Sequence, residues 1–363
     1  MDFSVQDFRI DRDVFYALRS SVAVGLVFLA VGFPMFWMLA AGFFLVLLFL
    51  RAPFTRRDRI MFRDSKDGLD WSVPSLCIDA DMFSRDDMAY HPCVIPLETG
   101  GWRMYHRGGR AEDRVVSAVS NDGAAFTPEP GVRVRGSGKH SRARFPYLVV
   151  RRGRYWLYYS SSYDGLNYDI HAAVSRDGTD FEPRGAVLFH GDSFDSVSAS
   201  ASWILPVKGG FRMYYNGYDG SRYVIATAFS KDGLRWRKEG PCLEPGGPND
   251  LRSAANPCVV RSQGRWRMYY AGDNVVGVNL DNCLRGRSRQ VILSAVSSDG
   301  LRWKKEPGIR VGTDRHYATD GVLSPFVLRT PEGWRMYYTA YWGSFLLKPF
   351  VLLAYGVKHL LNK

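Results

Sequence analysis

The sequence predicts an all-β fold, a five-bladed β-propeller preceded by an N-terminal transmembrane or re-entrant helical segment, and three observations lead there. Ser-x-Asp-Gly-x-x-aromatic occurs five times, with its aspartate at Asp67, Asp122, Asp177, Asp232 and Asp299, spaced 55, 55, 55 and 67 residues apart. A second motif, Trp-Arg-Met-Tyr at residues 102–105, returns around Trp156, Arg212, Trp266 and Trp334. Residues 20–50 carry no charge and are strongly apolar.

Each repeat reads as one four-stranded sheet. A first strand opens at Pro92, Pro146, Pro257 and Pro325, with Ser202 in that place in the third copy. A Gly-containing turn then leads into the aromatic second strand, and a third strand such as residues 223–230 runs into Asp-Gly, a hairpin signal. The fourth strand carries Phe126, Phe181, Trp236 or Trp303. A single such sheet leaves both faces bare, whereas sheets stacked around a ring cover one another and leave only short edges. The first Asp-Gly copy precedes every first strand, and the last first and second strands end the series. Residues near 60–78 are therefore expected to complete the fifth blade, although residues 350–355 also resemble a third strand. The last gap holds an extra loop, residues 274–289.

The apolar run is longer than the roughly 20 residues a spanning helix needs, and Arg51 and Pro53 follow it where a cleavage site would stand. Pro34 near its middle leaves one kinked span or a helical hairpin open. The following flank holds Arg51, Arg56, Arg57, Arg59, Arg63 and Lys66, against Arg9, Arg12 and Arg19 before the run. That excess places the propeller on the cytoplasmic side of an inner-membrane-type bilayer. The expected organisation is an N-terminal segment (1–19), the membrane segment (20–50), a basic linker (51–59), the propeller (60–355) and a tail (356–363).

A net charge of +12 admits an anionic membrane, an anionic substrate or nucleic acid, but the basic residues are scattered singly, so no nucleic-acid partner is expected. Cys77, Cys93, Cys242, Cys258 and Cys283 form no metal-ligand spacing with the seven histidines, so neither a metal nor another cofactor is expected. Cys93 and Cys258 stand in matching Pro-Cys-Val contexts and read as small buried strand residues.

Over about residues 60–355, the Met-Tyr-Tyr and Ser-x-Asp-Gly-x-x-Trp motifs resemble the five-bladed propeller glycosidase superfamily of arabinanases, levansucrases, invertases and mannoside phosphorylases. The resemblance implies an acid just before the first-strand proline and a carboxylate pair doing acid and base or nucleophile work. Here those pre-strand positions hold His91, Phe145, Ala201, Asn256 and Ser324, with no carboxylate. Two positions upstream stand the small Ala89, Ala143, Ala199, Ala254 and Val322, and two further upstream stand Asp87, Ser141, Val197, Arg252 and Asp320.

Asp87 and Asp320 are thus the candidate catalytic carboxylates, facing each other from adjacent blades, or else partners of arginines that stiffen the ring. His91 is an auxiliary acid or base, or a hydrogen-bonded ring residue. Arg142, Arg144 and Arg252, with Asn256 and Ser324, form a candidate substrate and anion-binding set. The repeated Asp-Gly aspartates and Tyr-Tyr pairs read as turn and packing residues. Two functions follow as expectations. One is a membrane-anchored enzyme acting on a glycoside or glycosyl phosphate, lipid-linked or from an envelope glycan. The other is a non-catalytic propeller that binds a glycan, an anionic head group or a protein in an envelope complex.

Overall fold

The structure, a computed structural model, describes residues 57–79, 88–109, 113–136, 142–162, 167–262, 264–274, 290–314, 318 and 321–342. The proposed membrane segment, residues 350–355 and most of the 274–289 loop lie outside them. Among the described residues no helix is long and apolar enough to cross a membrane.

Among the described residues twenty-one strands form five antiparallel blades. The first two, β1 (Arg57–Ser65) and β2 (Ser75–Asp79), belong to the last blade. Blade one holds β3 (Tyr90–Pro96), β4 (Trp102–Gly108), β5 (Arg114–Ser120) and the short β6 (Thr127–Pro128) and β7 (Val134–Arg135). Blade two holds β8 (Arg142–Arg151), β9 (Arg154–Ser162), β10 (Asp169–Ser175) and β11 (Glu182–Leu188). Blade three comprises β12 (Ser198–Val207), β13 (Gly210–Tyr218), β14 (Tyr223–Ser230) and β15 (Arg237–Leu243). Blade four comprises β16 (Ser253–Ser262), β17 (Arg265–Asp273), β18 (Val291–Ser297) and β19 (Lys304–Lys305). Blade five begins with β20 (Gly321–Thr330) and β21 (Gly333–Trp342) and is completed in the order β20-β21-β1-β2.

That seam is long and regular: Arg57 pairs with Trp342 and the register runs without a shift to Ser65 opposite Trp334. The third-strand position of blade five is therefore held by β1. The inner strands β3, β8, β12, β16 and β20 each touch the next, and β20 touches β3, so the ring closes. Ala89, Ala143, Ala199, Ala254 and Val322 are fully buried where these strands crowd together.

The two motifs turn out to be one inter-blade joint used five times. Within each Asp-Gly turn the serine hydroxyl takes the glycine N–H, and the aspartate takes the two N–H groups beyond the glycine. The glycine carbonyl then accepts from the first tyrosine of the preceding blade. These bonds are Tyr105 to Gly178 (2.7 Å), Tyr158 to Gly233 (2.9 Å), Tyr214 to Gly300 (2.8 Å), Tyr269 to Gly68 (2.6 Å) and Tyr337 to Gly123 (2.5 Å). The last two join the C-terminal strands β17 and β21 to turns of the N-terminal part, so N- and C-terminal parts are locked by the same contact as every other pair. Gly233 shows why glycine is required: its φ is +80°, and a Cβ there would lie 2.8 Å from the Tyr158 hydroxyl.

The motif's aromatic residue does not sit inside the fourth strand as its sequence position indicates. It sits just before it, edge-on to the same tyrosine, as for Phe181 and Tyr105 (6.0 Å), Trp303 and Tyr214 (6.0 Å) and Trp71 and Tyr269 (5.8 Å). The arginine of Trp-Arg-Met-Tyr completes the joint. Arg103, Arg267 and Arg335 donate both to a carboxylate of their own blade and to the aspartate carbonyl of the next turn. The charge of these three arginines is therefore structural.

Candidate functional site

Every inner strand makes the same irregularity at the same place. The pairing of first and second strands slips between Tyr90 and Cys93, Arg144 and Tyr147, Ser200 and Trp203, Ala255 and Cys258, and Leu323 and Phe326. In each bulge one non-glycine residue takes a left-handed conformation: His91, Phe145, Ala201, Asn256 and Ser324, with φ between 52° and 57°. Such strain persists only where the surroundings hold it, and at three of the five positions a side chain of the preceding blade does so. Thr339 accepts the His91 N–H, Ser160 the Ala201 N–H and Asn216 the Asn256 N–H. The side-chain amides of Asn216 and Asn256 also bond each other, and Asn256 donates on to Ser324 (2.9 Å).

The five bulges thus turn His91, Phe145, Ala201, Asn256 and Ser324 toward one axis. They and their neighbours enclose a cavity of only about 40 Å³, room for one or two waters and far below the roughly 300 Å³ of a small-ligand pocket. His91 is buried, stacked on Phe145 at 3.8 Å and edge-on to Tyr90. Trp203 of blade three crosses the channel to meet Tyr147 of blade two (4.7 Å) and Phe326 of blade five (5.1 Å). The axis is plugged at this level, so a substrate cannot pass along it from one end of the ring to the other.

The end where the inner strands begin holds a buried charge cluster at the junction of blades one and two. Asp113, just before β5, receives Arg107 from β4 (Nε 2.8 Å, Nη2 2.5 Å) and Arg144 from β8 (2.6 Å), with Arg142 at 3.8 Å. Burial by itself drives the Asp113 carboxyl upward, but Arg107 and Arg144 hold it below the ordinary value, so it stays ionised. Burial and the nearby Arg144 cation both press the Arg107 pKa down. The Arg144 guanidinium lies 5.5 Å over the ring of Tyr168.

Of the sequence-derived candidates, the structure brings His91, Asn256 and Ser324 into one ring and joins Arg142 to Arg144 through Asp113. Arg252 stands apart in the turn before β16, exposed and without an ion pair among the described residues. Asp87 and Asp320 lie outside the described residues. Arg107, Asp113 and Tyr168 were missed. Their signal was available: nine positions before the Asp-Gly aspartates stand Asp58, Asp113, Tyr168, Tyr223 and Gln290, the starts of the third strands, which also begin at this end.

A larger hollow of about 590 Å³ lies at the opposite end, along Asp64, Asp67, Asp70, Glu332, Trp334 and Arg335. Its Arg335–Asp64 pair and the Asp67 turn belong to the inter-blade joint, while Lys66, Asp70 and Glu332 complete its polar lining. Among the described residues no cluster of three or more His, Cys, Asp or Glu could hold a metal. Cys77, Cys93, Cys242 and Cys258 are free. Burial pushes the Cys93 thiol up to about 12, and its sulfur accepts the Leu148 N–H, as that of Cys258 accepts the Val327 N–H.

No family model matches the chain. It is 31% identical over 185 residues to an uncharacterised protein of Mycobacterium tuberculosis, Rv1502, and equally to its counterpart MT1551 in another strain of that organism. The match covers 46% of the chain, which spans 56% of the length of those relatives. Among solved structures it is similar to a thermostable family-43 glycoside hydrolase (TM-score 0.55, 17% identity, 70% of this chain and 89% of that one). An exo-1,5-α-L-arabinanase from a bovine ruminal metagenomic library superposes at TM-score 0.52, with 15% identity over 72% of this chain and 90% of that one. A structure from the family of mannoside phosphorylases, described with hydrolases that target β-1,2 mannosidic linkages in Candida mannan, superposes at 0.54, with 15% identity over 71% and 84%. At these identities the likeness speaks for architecture: the chain has the five-bladed propeller fold shared by these glycoside hydrolases and phosphorylases.

Proposed function

We propose that the chain is a membrane-anchored, glycosidase-like propeller that acts on a glycoside or glycosyl phosphate at the open end of its ring. The observation that carries the reading is the Arg107–Asp113–Arg144 cluster beside the ring, buried guanidiniums that outnumber their one carboxylate and set a positive potential suited to an anionic sugar derivative. In this reading Asp87 and Asp320 are the carboxyl pair. One protonates the departing glycosidic oxygen, and the other activates water or stands aside for phosphate. Residues 20–50 anchor the chain, the propeller lies on the cytoplasmic side, and the four free cysteines are compatible with that reducing compartment. Asp87→Asn and Asp320→Asn are to be assayed on a panel of glycosides and glycosyl phosphates; unchanged turnover in both variants would remove the pair from the mechanism.

A second reading has its own observation. All five ring positions lack a carboxylate, and the axis is plugged, which fits a propeller that binds a glycan, a head group or a protein without turning it over. Ligand-induced stabilisation without product supports it, and product formation ends it.

A further inference from the structure

The strands of each blade run antiparallel, so the hairpins between first and second strands and the Asp-Gly turns all lie at the end of the ring away from Asp113. A residue repeated at all five tips builds blades, whereas a residue confined to some of them serves something else. The exposed charges at this end are largely of the second kind. In blades two, three and four the hairpins expose Arg152, Arg154, Lys208, Arg261 and Arg265, and the turns expose Arg176, Lys231, Arg235 and Arg302. Against these nine cations the same tips expose four carboxylates, Asp177, Asp180, Asp232 and Asp299.

Blades five and one reverse the sign. Their tips expose Asp67, Asp70, Glu98, Asp122 and Glu332 against Lys66 and Arg329. Asp70 stands where blades three and four carry Arg235 and Arg302, and Glu332 stands where the other four blades carry Gly100, Gly153, Gly209 and Gly264. Asp67, Asp70 and Glu332 line the hollow of about 590 Å³. Because β20 touches β3, blades five and one are neighbours and lie across the ring from blade three. One face thus carries a basic half and a hollowed acidic half on opposite sides of the axis.

A partner of one sign gains at one half and is repelled at the other. A second copy of the same face satisfies both: a two-fold axis in the plane of the face, running between the halves, sets each basic half on the other copy's acidic half. At a net charge of +12 two chains repel at long range, but at about 0.15 M salt that repulsion is screened beyond roughly 8 Å, while charges brought into contact still pair. We propose that the propeller dimerises through this face, cationic side chains from blades two to four of one copy meeting the hollow on blade five of the other. The end beside Asp113 stays open to its own ligand.

Sedimentation velocity of the full chain up to about 100 µM tests this. A dimer is expected at about 0.15 M salt, weakened roughly tenfold or more at about 1 M; a monomer at every concentration, or a dimer indifferent to salt, overturns the proposal. Two variants locate the face: Asp70→Lys with Glu332→Lys, and Lys208→Glu with Arg265→Glu. All four residues are exposed, so both variants are expected to keep the parent's melting temperature. Each alone is expected to dimerise at least roughly tenfold more weakly than the parent, and their equimolar mixture to form a heterodimer, since the two reversed halves then meet. Unchanged dimerisation of either variant, or no pairing in the mixture, overturns the assignment of this face.

Discussion

Trp203→Ala tests whether the blades converge on one axis. The indole is buried, its Nε1 has no hydrogen-bond partner, and its ring touches Tyr147 and Phe326, which belong to two other blades. Truncation therefore breaks no hydrogen bond and removes only packing. A buried Trp→Ala change costs about 3–5 kcal/mol, within which each aromatic pair accounts for about 0.5–1.5 kcal/mol. For a domain of this size about 2 °C of melting temperature corresponds to each kcal/mol, so a fall of roughly 6–10 °C is expected. Urea unfolding of the chain, followed by far-UV circular dichroism, gives the free energy. The sharper assay is a double-mutant cycle with Phe326→Leu. Blades three and five are not neighbours, so a coupling of about 0.5–1.5 kcal/mol arises only if both side chains meet across the channel. Additive effects within about 0.3 kcal/mol would refute the convergence.

Three further outcomes follow from named contacts. Tyr337→Phe removes the hydroxyl that donates to Gly123 across the seam and is expected to cost about 1 kcal/mol by urea unfolding; no loss would mean that the joint is not closed there. The five turn aspartates are held below the ordinary 3.8, Asp122 and Asp299 at about 2, chiefly by backbone N–H groups. Their folded pKa values are depressed, so their stabilisation is present above about pH 4 and lost as pH falls toward 2. Asp299→Ala should lower stability at pH 6 and flatten the decline between pH 4 and 2, and an unaltered slope would contradict that assignment. Buried Cys93 and Cys258, with thiols pushed far above their ordinary value, should react with a thiol reagent only at the rate of unfolding; rapid labelling of the native chain would show that these strands open.

The repeat made the blades legible because each blade uses the same residues for the same contact. Tyr105, Tyr158, Tyr214, Tyr269 and Tyr337 differ only in which turn they cap, and counting the turns located the seam at β1. What the repeat cannot show is what departs from it. Blade three carries Ser202 for the strand-opening proline and, at the next position, Trp203, which fills the axis, a consequence visible only once three blades are brought together. Asp113 was unremarked because its value comes from Arg107 and Arg144, 6 residues upstream and 31 downstream. His91, Asn256 and Ser324 lie together because a shared position before a strand becomes a shared position on a ring.

The account's central claim is that a ligand meets this propeller at the ring end beside Asp113 and Arg144, above the plug at Trp203. A crystal structure of the chain soaked with a glycosyl phosphate locates that ligand directly. Density for the phosphate beside Arg142 and Arg144, with the sugar over the His91–Phe145 stack, is the predicted result; density confined to the groove along Asp67 and Glu332 at the other end would contradict it.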